Sequence, residues 1–370
     1  MIFGTAGRMG CGAGESAHPV RPGHGSGTAT PMEQPRIRAR TLSFLSRDRD
    51  LPGPARDTLL ARHGLCRDTL AGDTAEIPLS AFVGVVEDLA EVSDSPLIGW
   101  TVGERFALTD LGPLGLALSL APTLGDALRC FERAFCTLQT GTHIRLTIED
   151  GEASLGYAIL DHRIWPRRQD AELTLGVIAA LIRRFHGTGS GPLAVGFEHP
   201  AGPGTPALAA RLRHDIAHGE DTNRISFPAR LLDAPRPDPA DTGFEVISRA
   251  LERAALDRRR AQSLRTRVKQ AVLEDMGHGP VDQTRIARAL GMSRRNLRRR
   301  LEANGDRFRQ LVTECRQSRA QAYLTRTDWP LSEIALRLGY SDQTAFSRAF
   351  ARWHGKPPLA MRAEARDSGA

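Results

Sequence analysis

Hydrophobic and polar positions repeat one short pattern near the end of this chain. Ile286-Ala287-Arg288-Ala289-Leu290-Gly291-Met292-Ser293 is answered forty-eight positions later by Ile334-Ala335-Leu336-Arg337-Leu338-Gly339-Tyr340-Ser341. In each copy Ile, Ala and Leu at helical spacing give one buried face to a short helix, and Gly supplies the positive φ that stops it. A second helix is predicted to start almost at once. In the first copy Ser293 caps a helix whose Leu297 and Leu301 face inward, leaving Arg294, Arg295, Asn296, Arg298, Arg299 and Arg300 outward. In the second copy Asp342 is the expected cap and Phe346 and Phe350 the inward pair, with Gln343, Thr344, Ser347 and Arg348 outside; this turn is one residue longer. Each copy reads as a helix-turn-helix.

Upstream the pattern is mixed. Residues 79–92 have helical spacing through Phe82, Val85, Val86 and Leu89, and residues 124–138 through Leu128, Phe131, Phe135 and Leu138. Polar and apolar positions alternate over 142–148 and 153–160 around Glu149-Asp150-Gly151-Glu152, which predicts a hairpin. A helix over 171–185, a strand over 193–197 and a short strand over 224–227 follow, and a Pro-rich stretch at 234–239 closes the region. Residues 244–260 are helical in pattern and end in Arg258-Arg259-Arg260, a run that could touch phosphate but is read here as a solvated joint. Leu264, Val268, Val272 and Leu273 predict the next helix, closed by Gly277 and Gly279, and Asp282 caps the one after it. Between the two repeats Phe308, Leu311, Val312, Cys315 and Ala322 stripe a long helix to about residue 324, on which both copies would pack; Cys315 is expected as a small buried hydrophobe.

Residues 1–40 are rich in Gly, Ser, Thr and Pro without apolar periodicity, and are expected to form a disordered leader. Met32 leaves open that translation starts later. The predicted organisation is therefore a leader (1–40), an α+β domain (41–256) with helices first and strands interspersed later, and an all-α domain (257–370) with two helix-turn-helix units joined by a long helix.

Charge separates the two domains. From residue 258 onward the chain carries 24 Lys and Arg against 11 Asp and Glu, whereas the remainder carries 26 against 32. The basic excess thus belongs to the helical domain, the electrostatic footprint of nucleic-acid binding. The five cysteines (Cys11, Cys66, Cys130, Cys136 and Cys315) are odd in number and lack a CxxC pair, so neither a disulfide framework nor a zinc site is expected. The longest uncharged stretch, 111–125, is broken by Gly and Pro and too short to span a bilayer, and no signal peptide is readable; a cytoplasmic location is expected.

A helix in this position of a helix-turn-helix lies in the major groove, where Arg pairs with guanine and Gln or Asn with adenine. An Arg-rich face is otherwise commonly just solvated, but two copies with matching turns favour the DNA reading. The run from Ile334 through Gln343-Thr344-Ala345-Phe346-Ser347-Arg348-Ala349-Phe350, with Trp353, Gly355-Lys356 and Pro357-Pro358, resembles the signature of the AraC/XylS family of bacterial transcription regulators. The resemblance covers about a hundred C-terminal residues. It implies that Arg295, Arg298 and Arg299 hold the base-reading places of the first unit, with Arg294 on the same face, and that Gln343, Thr344, Ser347 and Arg348 hold those of the second. Ala345 stands where some relatives carry a polar residue and is left out.

The upstream domain is similar, less sharply, to the sensor domain of one branch of that family, through Phe197-Glu198-His199-Pro200 and the run from Ser226 to Pro235. That resemblance, to an arabinose-binding-type domain, implies effector binding, dimerisation or both. His162, His186 and His199 could be ligand contacts but are expected to be structural, and Trp100 and Trp165 could line a pocket but are expected as core residues; no effector contact is assigned. The expected function is an activator that binds double-stranded DNA, engages RNA polymerase and answers a small-molecule effector, with a possible homodimer and no membrane, metal or cofactor. A regulator whose upstream domain only dimerises is the alternative. An enzymatic upstream domain lacks a nucleophile setting, since Cys66 has no zinc-ligand partners, and a DNA-coating protein would not need Gln, Thr and Ser at base-reading positions.

Overall fold

The computed structural model describes residues 34–47, 51–70, 72, 74–186, 193–237, 243–276 and 279–368, the last three through their backbone. Most of the expected leader (1–33) and Gly277 lie outside the described residues. Strand β1 (Arg36–Arg38) pairs antiparallel with β2 (Glu76–Pro78), and Ile37, Ala39 and Leu42 are buried. The leader expected through residue 40 therefore reaches too far, and strands are present among the first elements, not only later. A three-residue strand carries too few alternating positions to register in sequence; its partner forty residues away makes it.

Helices α1 (Phe44–Arg47), α2 (Gly53–Arg62), α3 (Arg67–Leu70), α4 (Leu79–Val92), α5 (Ile98–Glu104), α6 (Pro113–Leu120) and α7 (Leu124–Ala134) come next. The predicted 124–138 helix ends early, its last turn tightening into 3-10 geometry over Phe135–Thr137. The hairpin forms as expected from β3 (Thr142–Glu149) and β4 (Glu152–Ile159), with Asp150 and Gly151 both at positive φ in its two-residue turn. Helix α8 (Arg168–His186), β5 (Ala194–Phe197), α9 (Thr205–Leu212), β6 (Ile216–His218) and β7 (Asn223–Pro228) complete a sheet of order β3-β4-β7-β5-β6. Within it β7 pairs antiparallel with both β4 and β5, and β5 and β6 pair parallel. The segment expected as a short strand near 224–227 is thus the central strand. β6 is not legible in sequence, because its three residues are all half-buried.

Helix α8 is buried on nearly every face. It packs on α5 backbone to backbone: a Cβ at Gly99 would stand 2.3 Å from the Gln169 carbonyl oxygen, and one at Gly103 2.3 Å from that of Leu173. After α10 (Phe244–Ala261) the chain is helical: α11 (Leu264–Asp275), α12 (Gln283–Ala289), α13 (Arg294–Ala303), α14 (Phe308–Arg326), α15 (Leu331–Arg337), α16 (Gln343–His354) and α17 (Pro358–Ser368). These form two small cores. Val268, Val272, Leu297, Leu301, Leu311 and Cys315 meet in the first, and Ala320, Leu324, Ile334, Phe346 and Phe350 form the second.

Helix α14 serves both cores along its length, as its stripe predicts, and Cys315 is buried in the first, where burial pushes its thiol up to about 12. Leu160, just after β4, joins the first helical core, so the end of that strand and the helical region share apolar packing. No helix of the described residues is long and apolar enough to cross a membrane.

Candidate nucleic-acid interface

The first repeat folds through its caps. The Asp282 carboxylate accepts from the backbone N–H groups of Thr284 and Arg285 and starts α12. Gly291 has φ +68°, and the Met292 N–H reaches back 2.8 Å to the Ala287 carbonyl, closing the helix. The Ser293 hydroxyl then accepts from the Asn296 N–H at 3.2 Å and starts α13. With Leu297 and Leu301 buried, Arg294, Arg295, Arg298, Arg299 and Arg300 are all exposed on this helix. Arg298 stands 3.7 Å from the exposed Glu302, and Arg299 donates weakly to the Asn296 side chain at 3.4 Å.

The second repeat uses the same grammar with a longer turn. Gly339 has φ +73°, and the Asp342 carboxylate accepts from the Ala345 N–H at 2.7 Å, which holds that carboxyl below its ordinary value. Phe346 and Phe350 meet edge to face, centroids 5.7 Å apart, behind α16. Gln343, Thr344 and Arg348 are exposed and Ser347 is half-buried. All eight singled-out residues therefore lie on the helix that follows a glycine-stopped turn, in two sets of four.

What sequence reading missed is how the two sets are held. Arg316, midway along α14, donates to the carbonyl oxygens of Leu338 and Gly339 at 2.9 and 3.1 Å, and so closes the end of α15. A Cβ at Gly339 would lie 3.2 Å from the Gly279 carbonyl oxygen, so the second turn rests against the loop before α12. Arg319, nearly one turn further along α14, donates to the Leu273 carbonyl at 2.9 Å and ties α11 to the same helix. The contacts are side chain to backbone over long separations, for which composition gives no signal.

Acidic groups of the helical region are largely used away from α13 and α16. Burial would raise the Glu314 carboxyl, but the Lys269 ammonium and the Arg265 guanidinium, at 2.5 and 2.6 Å, hold it below its ordinary value. Asp306 pairs with Arg265, and Asp275 with Arg285. This leaves the exposed faces of α13 and α16 with a positive field suited to a polyanion.

The upstream region touches the helical one at several points. Trp165 is half-buried, not a core residue: the Arg326 guanidinium lies 4.7 Å from its ring centroid, so it serves the contact between the regions. Arg337 lies 3.9 Å over Trp329 and pairs with Asp221, and His143 stands 3.2 Å from Glu274. Arg258 pairs with Glu76 and donates to the Cys136 carbonyl at 3.1 Å, so this arginine anchors α10 and is not part of a solvated joint. Trp100 is buried in the core as expected. His186 bonds the Leu231 carbonyl at 3.0 Å, whereas His162 and His199 are shifted down by burial, His199 to about 4.

Comparison with known proteins finds matches to both regions. Residues 53–236 match the family described as the arabinose-binding domain of AraC transcription regulator, N-term, and residues 286–364 match a helix-turn-helix domain family. Uncharacterised HTH-type transcriptional regulators of Mycobacterium bovis and Mycobacterium tuberculosis are 30% identical over 345 residues, covering 83% of this chain and 97% of theirs. The ornithine utilization regulator of Pseudomonas aeruginosa is 28% identical over 268 residues, 71% of this chain and 77% of its own. The crystal structure of the transcriptional regulator CdpR from Pseudomonas aeruginosa aligns at 24% identity and TM-score 0.41, over 83% of this chain and 96% of that one.

Proposed function

The chain belongs to the AraC family of DNA-binding transcription regulators, and from that membership we propose that α13 and α16 read two successive segments of one asymmetric operator. Arg294, Arg295, Arg298 and Arg299 contact the first segment; Gln343, Thr344, Ser347 and Arg348 contact the second. The observation that carries this reading is the presentation of both sets on helices started by side-chain caps, Ser293 and Asp342, shortly after a glycine stop. Arg offers guanine a bidentate donor pair and Gln offers adenine a donor and an acceptor, so these side chains can specify sequence as well as neutralise phosphate.

Residues 41–256 then serve as the sensing domain, responding to a small molecule, and the regulator acts as an activator that engages RNA polymerase. The arabinose-binding-type match over 53–236 supports effector sensing. A purely dimerising role for that domain is the alternative. Mapping the chain's occupied sites in its own genome, then footprinting the purified protein on them, tests the reading. The expected result is two protected segments about one helical turn apart. Uniform protection of random DNA would sink it.

A further inference from the structure

A cleft of about 750 Å³ lies between the upstream region and the first helix-turn-helix unit, within the size range of small-molecule sites. Its walls come from four places: the end of α7 with the segment after it, the edge strand β3, the end of α10, and α11 with the turn after α12. Apolar surface comes from Phe135, Ile144, Leu256 and Leu290. Acidic side chains at the rim are already engaged: Glu132 accepts from the Leu146 N–H at 3.2 Å, and Glu274 pairs with His143. Arg133 is matched by Glu252 at 3.0 Å. Arg145 on β3, Arg260 on α10 and Arg267 on α11 have no acidic partner among the described residues. Arg259, next to Arg260 on α10, also lines the cleft without an acidic partner and donates to the Arg133 carbonyl at 3.3 Å, so β3, α10 and α11 each supply at least one such guanidinium.

We propose that this cleft binds a small organic anion, carrying carboxylate or phosphate groups on an apolar body, that ties the first helix-turn-helix unit to the upstream region. Unmatched guanidinium groups around a concave space recognise such oxyanions through paired donors, and the apolar walls accommodate a carbon skeleton. A DNA backbone would use the charges but not the apolar walls. Because the three arginines come from separate elements, the anion binds the docked arrangement of α11 beside β3 better than any arrangement in which they part, and so shifts the population toward it. This deepens the proposed sensing role and rests on it.

The test uses the full chain and three probes at constant ionic strength: phthalate, citrate and inorganic pyrophosphate, titrated by calorimetry. Phthalate and citrate report a carboxylate site, pyrophosphate a phosphate site. Saturable one-to-one binding of at least one is expected, weakened about tenfold or more by R145Q and by R260Q and unchanged by R299A. Arg145 and Arg260 are exposed, so both variants should melt like the parent chain in the absence of anion. No saturable binding of any probe overturns the proposal, as does equal weakening by R299A. So does a loss of random-DNA affinity in R145Q and R260Q as large as in R299A, which would make the cleft a DNA-backbone surface. Operator binding by the parent chain without anion is measured alongside: its failure would overturn the DNA-reading proposal, whereas failure of the anion arm alone overturns only this one.

Discussion

The Arg316 guanidinium lies 4.6 Å from the centroid of the Tyr340 ring while it donates to the two carbonyl groups that end α15. One side chain thus fixes the second turn to the middle of the linking helix, through a cation–π contact and charge-assisted hydrogen bonds. Arg316→Ala should lower the stability of the chain by about 1–3 kcal/mol, since the carbonyls lose their donor. Urea unfolding measures it; an unchanged midpoint would show that Arg316 is dispensable.

Arg299→Ala and Arg348→Ala should each weaken operator binding by about 1–3 kcal/mol and change random-DNA binding at the same salt much less. Both residues are exposed on their helices and belong to neither core. Equal losses on operator and random DNA, measured by fluorescence anisotropy, would reduce them to phosphate contacts.

The nineteen residues of α14 span about 28 Å at 1.5 Å per residue; Arg316 ties the second helix-turn-helix unit to it, and Arg319 ties α11, which shares a core with the first. Reading helices held this way can enter major grooves about one DNA turn, roughly 34 Å, apart. Inserting about five base pairs between the two protected segments turns them to opposite faces and should remove one unit's contribution. Affinity of the full chain that ignores the insertion would mean that only one helix reads DNA.

Burial raises the Glu172 carboxyl to about 8, beside a neutral His199 whose Nε2 is 3.9 Å away. Its folded value lies above the unfolded one, so the folded state holds the proton longer. The resulting stability is full below about pH 4.5 and declines as pH rises toward 8, by up to about 1.4 kcal/mol per pH unit for this group. Glu172→Gln cannot ionise and should flatten that decline. Melting temperatures recorded from about pH 5 to 9 check the sign; parallel curves for parent and variant would refute it.

Sequence alone determined the helix-turn-helix units, because caps, glycine stops and helical spacing are local: Gly291, Ser293, Leu297 and Leu301 lie within a single short stretch of chain. The hairpin at Asp150-Gly151 was legible for the same reason. The outward faces of the second helices followed from that spacing. Tertiary structure alone decided what joins distant parts of the chain. Strand β6 pairs with β5, Trp165 meets Arg326, and Arg316 finds the carbonyls of Leu338 and Gly339. The cleft that gathers Arg145, Arg260 and Arg267 has no trace in spacing, since these three lie on separate elements. Local backbone preference is written over a few neighbouring residues; the partner of a long, flexible arginine is set by packing between elements, which no short window contains.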